Sequence, residues 1–241
     1  MRRSIVSKSL IMTWLFLLPV LCPAKEVKNS DSLEIITDFT YRIGSEDTKE
    51  KYKALGLYGA KIKAVELAAK YLTHKGLLEN YGQRQKEIFC LAADELNATT
   101  VAEKYLEENN SYYLKIKTIA KSADFIRAEI RNLKLDEEEK NFSWQEEMEQ
   151  YVYPEIDPAL ELSRAYRYIR KKHWRIAIIY LDHLEKKYPN WGEIFLAKAI
   201  GFYGMHEIGK MMDALQTACS IGNQGACEDL KSLTESHDKD F

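Results

Sequence analysis

The first half of the chain alternates between strand-like and helix-like patterns of hydrophobic residues. Residues 33–43, LEIITDFTYRI, carry β-branched and aromatic residues at partly alternating positions, which predicts a strand. Apolar residues at helical spacing predict a long helix over 48–73 and a shorter one over 85–96. The long helix also contains four small residues that suit close packing on a sheet: Ala54, Gly56, Gly59 and Ala60.

The spacing of hydrophobic residues then changes from helical to alternating, which indicates a hairpin. The pattern predicts strands over 99–107 and 112–120, joined by a turn at 108–111, and one face of the second strand is the more polar. Ser122 begins a capping segment for a further helix that starts near Phe125. The order β-α-α-β-β-α, over about 100 residues, predicts a small α+β domain.

The last third of the chain has a helical pattern throughout and contains a repeated motif. In its first copy, small residues at Ala165 and Ala177 let two helices approach, and Tyr168 and Leu181 fill the space between them. Leu184 occupies another large position, and the second helix is stopped at Pro189. This pattern resembles the tetratricopeptide repeat, a helical hairpin of about 34 residues.

A second copy of the motif follows about 34 residues later. Ala199, Phe202 and Leu215 occupy the corresponding positions, whereas Lys198 and Met211 depart from the pattern. The copy ends in GNQGAC instead of proline, which resembles the Sel-like variant of these repeats. The resemblance implies an all-α array of helical hairpins that binds a protein partner.

The first helix of the first copy is strongly basic. Repeat arrays expose a concave surface built from the first helix of each pair. Here that helix carries Arg164, Arg167, Arg170 and Lys171. We expect these four residues to bind an acidic peptide or glycan, and the alternative is an ordinary solvated face.

The α+β half resembles a small module of the bacterial envelope. The best local agreement is YYLKIKTIAKSADF, residues 112–125, and the pattern of elements extends the resemblance over roughly 33–132. That module occurs in outer-membrane lipoproteins and at the N-terminus of flagellar assembly protein T. The resemblance implies a non-enzymatic role in the envelope and transfers no functional residue.

The N-terminal residues have the three parts of a secretory signal peptide. A basic start precedes an apolar run over 10–21, and small residues precede a cleavage point after Ala24. The run is shorter than the roughly 20 residues of a membrane span. We therefore expect cleavage of residues 1–24 and export to the periplasm or cell envelope. The alternatives are an uncleaved anchor and a lipoprotein attached through Cys22, which the bulk of Leu21 disfavours.

Export would place the cysteines in an oxidising compartment. The turn sequence GNQG between Cys219 and Cys227 lets the chain fold back, and close cysteines in exported proteins normally form a disulfide. A metal site and a redox pair are the alternatives, although no CxxC or HxxxH accompanies the pair. Secreted Sel-like repeats carry a cysteine pair at this spacing. The resemblance therefore also implies a disulfide that locks the end of the repeat's second helix to a following helix over 226–235. Cys90 lies in an apolar stretch, which predicts that its side chain is a buried free thiol.

Composition suggests two folded halves joined by a charged connector. The predicted organisation is a signal peptide at 1–24, an α+β domain at 25–132, a connector at 133–156 and repeats at 157–236. Within the connector, a weak capping box at Ser143 predicts a short linking helix. Each half is expected to have its own core.

Charge and motifs argue against several classes of function. The formal net charge is −2 and no sustained basic patch is present, so nucleic acid is not an expected partner. The five histidines form no metal-ligand pair, and the chain has no nucleophile elbow, P-loop or dinucleotide fingerprint. The sequence therefore predicts an envelope adaptor, not an enzyme, that binds a protein partner without a metal or cofactor. The alternative is a ligand-binding protein or enzyme centred on the α+β half.

Overall fold

The computed structural model describes residues 32–139 and 157–237, so the predicted signal peptide and linking helix lie outside it. A three-stranded antiparallel sheet with its helices precedes an array of five helices, which confirms the α+β fold class. No helix in these ranges is long and apolar enough to cross a membrane. The elements are β1 (Ser32–Arg42), α1 (Lys49–His74), α2 (Gln85–Glu95), β2 (Ala98–Leu106), β3 (Ser111–Lys121), α3 (Ser122–Glu139), α4 (Pro158–Arg170), α5 (Trp174–Lys187), α6 (Gly192–Gly204), α7 (Ile208–Ser220) and α8 (Gln224–His237).

The sheet has the order β1-β3-β2, with β3 at its centre. Alternate residues of β3 are buried, because successive side chains of a strand point to opposite faces. The lysines between them are only partly buried, as the alternation in the sequence predicted. The buried set is Tyr112, Leu114, Ile116, Thr118 and Ala120.

Helix α1 packs closely on this sheet. A β-carbon added at Gly56 would lie 2.9 Å from the ring of Tyr112, and one at Gly59 would lie 2.6 Å from the ring of Phe39. Larger residues would push the helix away from the strands. The small residues of the predicted helix therefore have the packing role that the sequence indicated.

One hydrophobic core spans both halves of the chain. It extends from Ile35 on β1 to Ala197 on α6, and the edge of the Trp191 ring packs against Tyr58 with centroids 5.9 Å apart. Helix α4 packs against α2, which also packs against α1 and α3. The buried residues of the two halves therefore form one continuous cluster where the sequence predicted a core for each half. The predicted boundary between residues 132 and 133 also falls inside a helix, α3.

Candidate functional site

Of the four basic residues predicted to bind a partner, one is buried and three are partly exposed. Arg167 is 1 % exposed, and Arg170 donates from Nη2 to Asp136 Oδ1 at 2.7 Å. The Nζ atom of Lys171 lies 3.7 Å from the same oxygen, while Arg164 is partly exposed. The expectation of a free basic face therefore does not hold for Arg167, and Arg170 and Lys171 already lie against a carboxylate.

These charges belong to a buried ion cluster that joins α4 to α2 and α3. The carboxylate of Glu87 is 0 % exposed and accepts a hydrogen bond from Arg170. Arg167 donates to Asn132 Oδ1 at 3.3 Å and lies 3.4 Å from an oxygen of Asp136. Burial raises the pKa of Glu87, and the two arginines oppose that rise. The cluster therefore fixes the two halves together and leaves little charge for a partner.

A cleft of about 930 Å³ opens between the α+β half and the helical array. β1 and α1 line one part of the cleft, and the turn at 220–225 lines another. The volume falls in the range of small-ligand sites, about 300–1,000 Å³. Its floor, meaning its buried lining residues on α2, α4 and α6, consists of Phe89, Cys90, Leu162, Tyr166 and Leu196.

The predicted disulfide holds the turn that forms one wall of this cleft. Cys219 and Cys227 are bonded, with Cα atoms 4.7 Å apart. Gly222 reverses the chain with a φ of 101°, which favours glycine, and Asn223 Oδ1 accepts from the N–H of Ala226 at 2.9 Å to cap α8. Gly225, which the sequence placed in the turn, lies in the first turn of α8. The bond therefore shapes the cleft as well as the end of the array.

Glu193 brings a carboxyl group with unused hydrogen-bonding capacity to the cleft. The residue is partly exposed, but its Oε2 atom is buried and has no hydrogen-bond partner among the described residues. An ionised carboxylate can accept about four hydrogen bonds. Burial raises the pKa of Glu193 to about 7 and Glu66 adds to the rise, while its own backbone N–H, Lys86 and Asn223 oppose it. Sequence reasoning missed this residue, because an acid in the first turn of a helix is common.

Cys90 is the free, buried cysteine that the sequence predicted. Burial raises the pKa of its thiol to about 12. The nearby Tyr58 hydroxyl donates to the carbonyl oxygen of Cys90 at 3.2 Å. The sulfur is therefore a protonated thiol at neutral pH and not an activated nucleophile.

The raised pKa of Glu193 has a consequence for stability. A buried acid whose folded pKa exceeds its unfolded value costs stability as it ionises, so the wild type should lose stability as pH rises from about 4.5 to about 7. Glu193→Gln should remove this loss and be more stable than the wild type at pH 8, by about 1–2 kcal/mol, but not at pH 4. Urea unfolding at both pH values measures the difference. Equal pH dependence of wild type and variant would contradict the assignment.

Comparison with protein-family models, curated proteins and solved structures finds no match to this chain. The tetratricopeptide, Sel-like and envelope-module resemblances therefore stay predictions. Across residues 32–139 and 157–237, no group of three or more His, Cys, Asp and Glu side chains is arranged to hold a metal ion. The candidate site is thus defined by its own geometry: a cleft with a buried floor, a disulfide-held wall and an acceptor carboxyl group.

Proposed function

We propose that this chain is an exported, non-enzymatic binding protein of the cell envelope that holds its ligand or protein partner in the cleft between its halves. The cleft carries the proposal, because residues distant in sequence converge there on a concave surface with a partly unsatisfied polar group. The disulfide and the N-terminal signal pattern support export to an oxidising compartment.

The helical array supports a repeat architecture of the tetratricopeptide or Sel-like kind. Helix α6 begins 34 residues after α4, at Gly192 and Pro158, and α7 begins 34 residues after α5, at Ile208 and Trp174. The residues at the joints between the paired helices, Lys172 and His206, both adopt a left-handed conformation. Equal spacing of helices and joints is the property that the repeat resemblance implies.

The cleft lies where such an array would bind its partner. Arrays of this kind bind through the first helix of each pair. Here the first helices, α4 and α6, contribute Leu162, Tyr166, Glu193 and Leu196 to the cleft. The predicted binding surface is thus proposed again, but with these residues in place of the four basic ones.

Two leucines of equal exposure allow a controlled test. Leu67 on α1 lines the cleft and Leu133 on α3 does not, and each is 45 % exposed. Wild-type protein purified gently from its native envelope should carry a discrete ligand mass or a polypeptide in native mass spectrometry. Leu67→Trp should reduce that occupancy about tenfold or more by filling the cleft mouth, whereas Leu133→Trp should retain it.

Two results would contradict the proposed function. One is wild-type protein recovered with its own mass alone under these conditions. The other is Leu67→Trp protein that keeps as much bound material as the Leu133→Trp control.

A further inference from the structure

The charge left unmatched in the cleft is negative. The lysines nearest its acidic residues are already engaged: Lys86 Nζ lies 3.5 Å from Glu66 Oε1, and Lys63 Nζ lies 3.5 Å from Asp38 Oδ1. The remaining basic lining residues are exposed at the rim, where water screens them. These two are Arg42 and Lys70. The acceptor near the floor is the carboxyl group of Glu193.

Aromatic and aliphatic side chains line the cleft together with this carboxyl group. Phe89 and Tyr166 are 7 % and 5 % exposed and line the cleft, as do the aliphatic Leu162 and Leu196. Tyr166 and Glu193 line the same cleft, and the charge of Glu193 adds to the effect of burial in raising the pKa of Tyr166. Ring faces within about 6 Å attract cations, and most strongly when the cation leaves water.

We propose that the cleft recognises a cationic nitrogen, an amine or guanidinium, carried on an apolar body, with Glu193 as the acceptor and the rings of Tyr166 and Phe89 beside it. This inference rests on the proposed function and names the chemistry of its ligand. A cation would supply the hydrogen bonds that Glu193 lacks, and the aliphatic floor would contact its carbon chain. A free organic amine and a lysine or arginine side chain of a polypeptide share this chemistry.

Matched compounds separate charge from shape. The probes are 4-phenylbutylamine and its neutral counterpart 4-phenylbutan-1-ol, titrated calorimetrically into the full mature protein at pH 8. Wild-type protein should bind the amine about tenfold or more tightly than the alcohol, because a hydrogen bond to a charged group is stronger than a neutral one. Glu193→Gln should lose this preference. Glu228→Gln, an exposed rim residue, should keep it.

A second measurement on wild-type protein needs no substitution. The affinity for the amine should rise about tenfold between pH 6 and pH 8 as Glu193 ionises, whereas the affinity for the alcohol should stay constant. The titratable groups facing Glu193 are Tyr58 and Glu66 on α1, Lys86 and Cys90 on α2, and Tyr166 on α4. Of these, Tyr58, Cys90 and Tyr166 are held neutral by raised pKa values, so none of the three changes charge between pH 6 and pH 8.

A peptide arm distinguishes the two sources of the cation. A hexapeptide containing phenylalanine and arginine, with a citrulline peptide as its control, is titrated in the same way. Tighter binding of the arginine peptide than of phenylbutylamine supports a polypeptide partner, and the reverse order supports a free amine.

Three results would overturn the inference: equal binding of amine and alcohol, an amine preference that survives in Glu193→Gln, or no binding of either compound. If wild-type protein binds the amine and the alcohol equally and Leu67→Trp binds neither, the cleft is a ligand site that does not recognise a cation. The native mass measurement tests the proposed function independently of these titrations.

Discussion

Replacing Glu87 by glutamine should lower the free energy of unfolding by about 3 kcal/mol. Glu87 is 0 % exposed and Arg167 is 1 % exposed. The raised pKa of Glu87 reflects the cost of burying its own charge, whereas the substitution also leaves the buried guanidinium group of Arg167 facing an amide that can donate where the carboxylate only accepted. Asp136 stays close to Arg167 and Arg170, which keeps part of the cluster intact. Glutamine has the shape of glutamate, so the loss would report the charge and not a cavity.

The same variant tests whether the two halves unfold together. Since α2 and α4 share both this cluster and the hydrophobic core, urea unfolding should show one transition by circular dichroism and by tryptophan fluorescence. Glu34→Gln is the control, because the side chains of Glu34 and its partner Lys117 are 54 % and 44 % exposed and such surface pairs contribute little. An unchanged unfolding free energy would contradict the role of Glu87. Two separate transitions would instead restore the expectation of independent domains.

Replacing Cys219 and Cys227 together by serine should lower the free energy of unfolding by about 2–3 kcal/mol. The bond restricts the unfolded chain, and in the folded state it holds α7 against the start of α8. A separate core in each half would confine this effect to the C-terminal half. Cys219 packs against a second buried cluster on α6, α7 and α8, and α6 also contributes Ile194 and Ala197 to the core that both halves share. Through α6 we therefore expect a single lower melting temperature for the whole chain, and weaker amine binding because the turn at 220–225 lines the cleft.

Reduction provides the control for this second substitution. A phosphine reductant should lower the melting temperature of wild-type protein and leave the double-serine variant unchanged. A melting temperature that neither reduction nor substitution alters would contradict a stabilising bond. Unchanged amine affinity in the variant would show that the turn keeps its position without the bond.

The sequence alone determined the elements whose signals are local. The period of two in β3, the small residues of α1 and the glycine-containing turn between Cys219 and Cys227 each depend on neighbouring residues, and the structure confirms each of them. Strand order, with β3 at the centre, is not a local property and was not predicted.

Only the tertiary structure decided what each charged residue faces. Arg170 meets Glu87 across 83 positions of the chain, which turned an apparently solvated basic face into an interior cluster. Glu193 became a candidate ligand contact because α1, α2 and the disulfide-held turn enclose it. A charge is costly or useful according to the groups opposite it and the water they exclude. The spacing of charges along a helix does not contain that information.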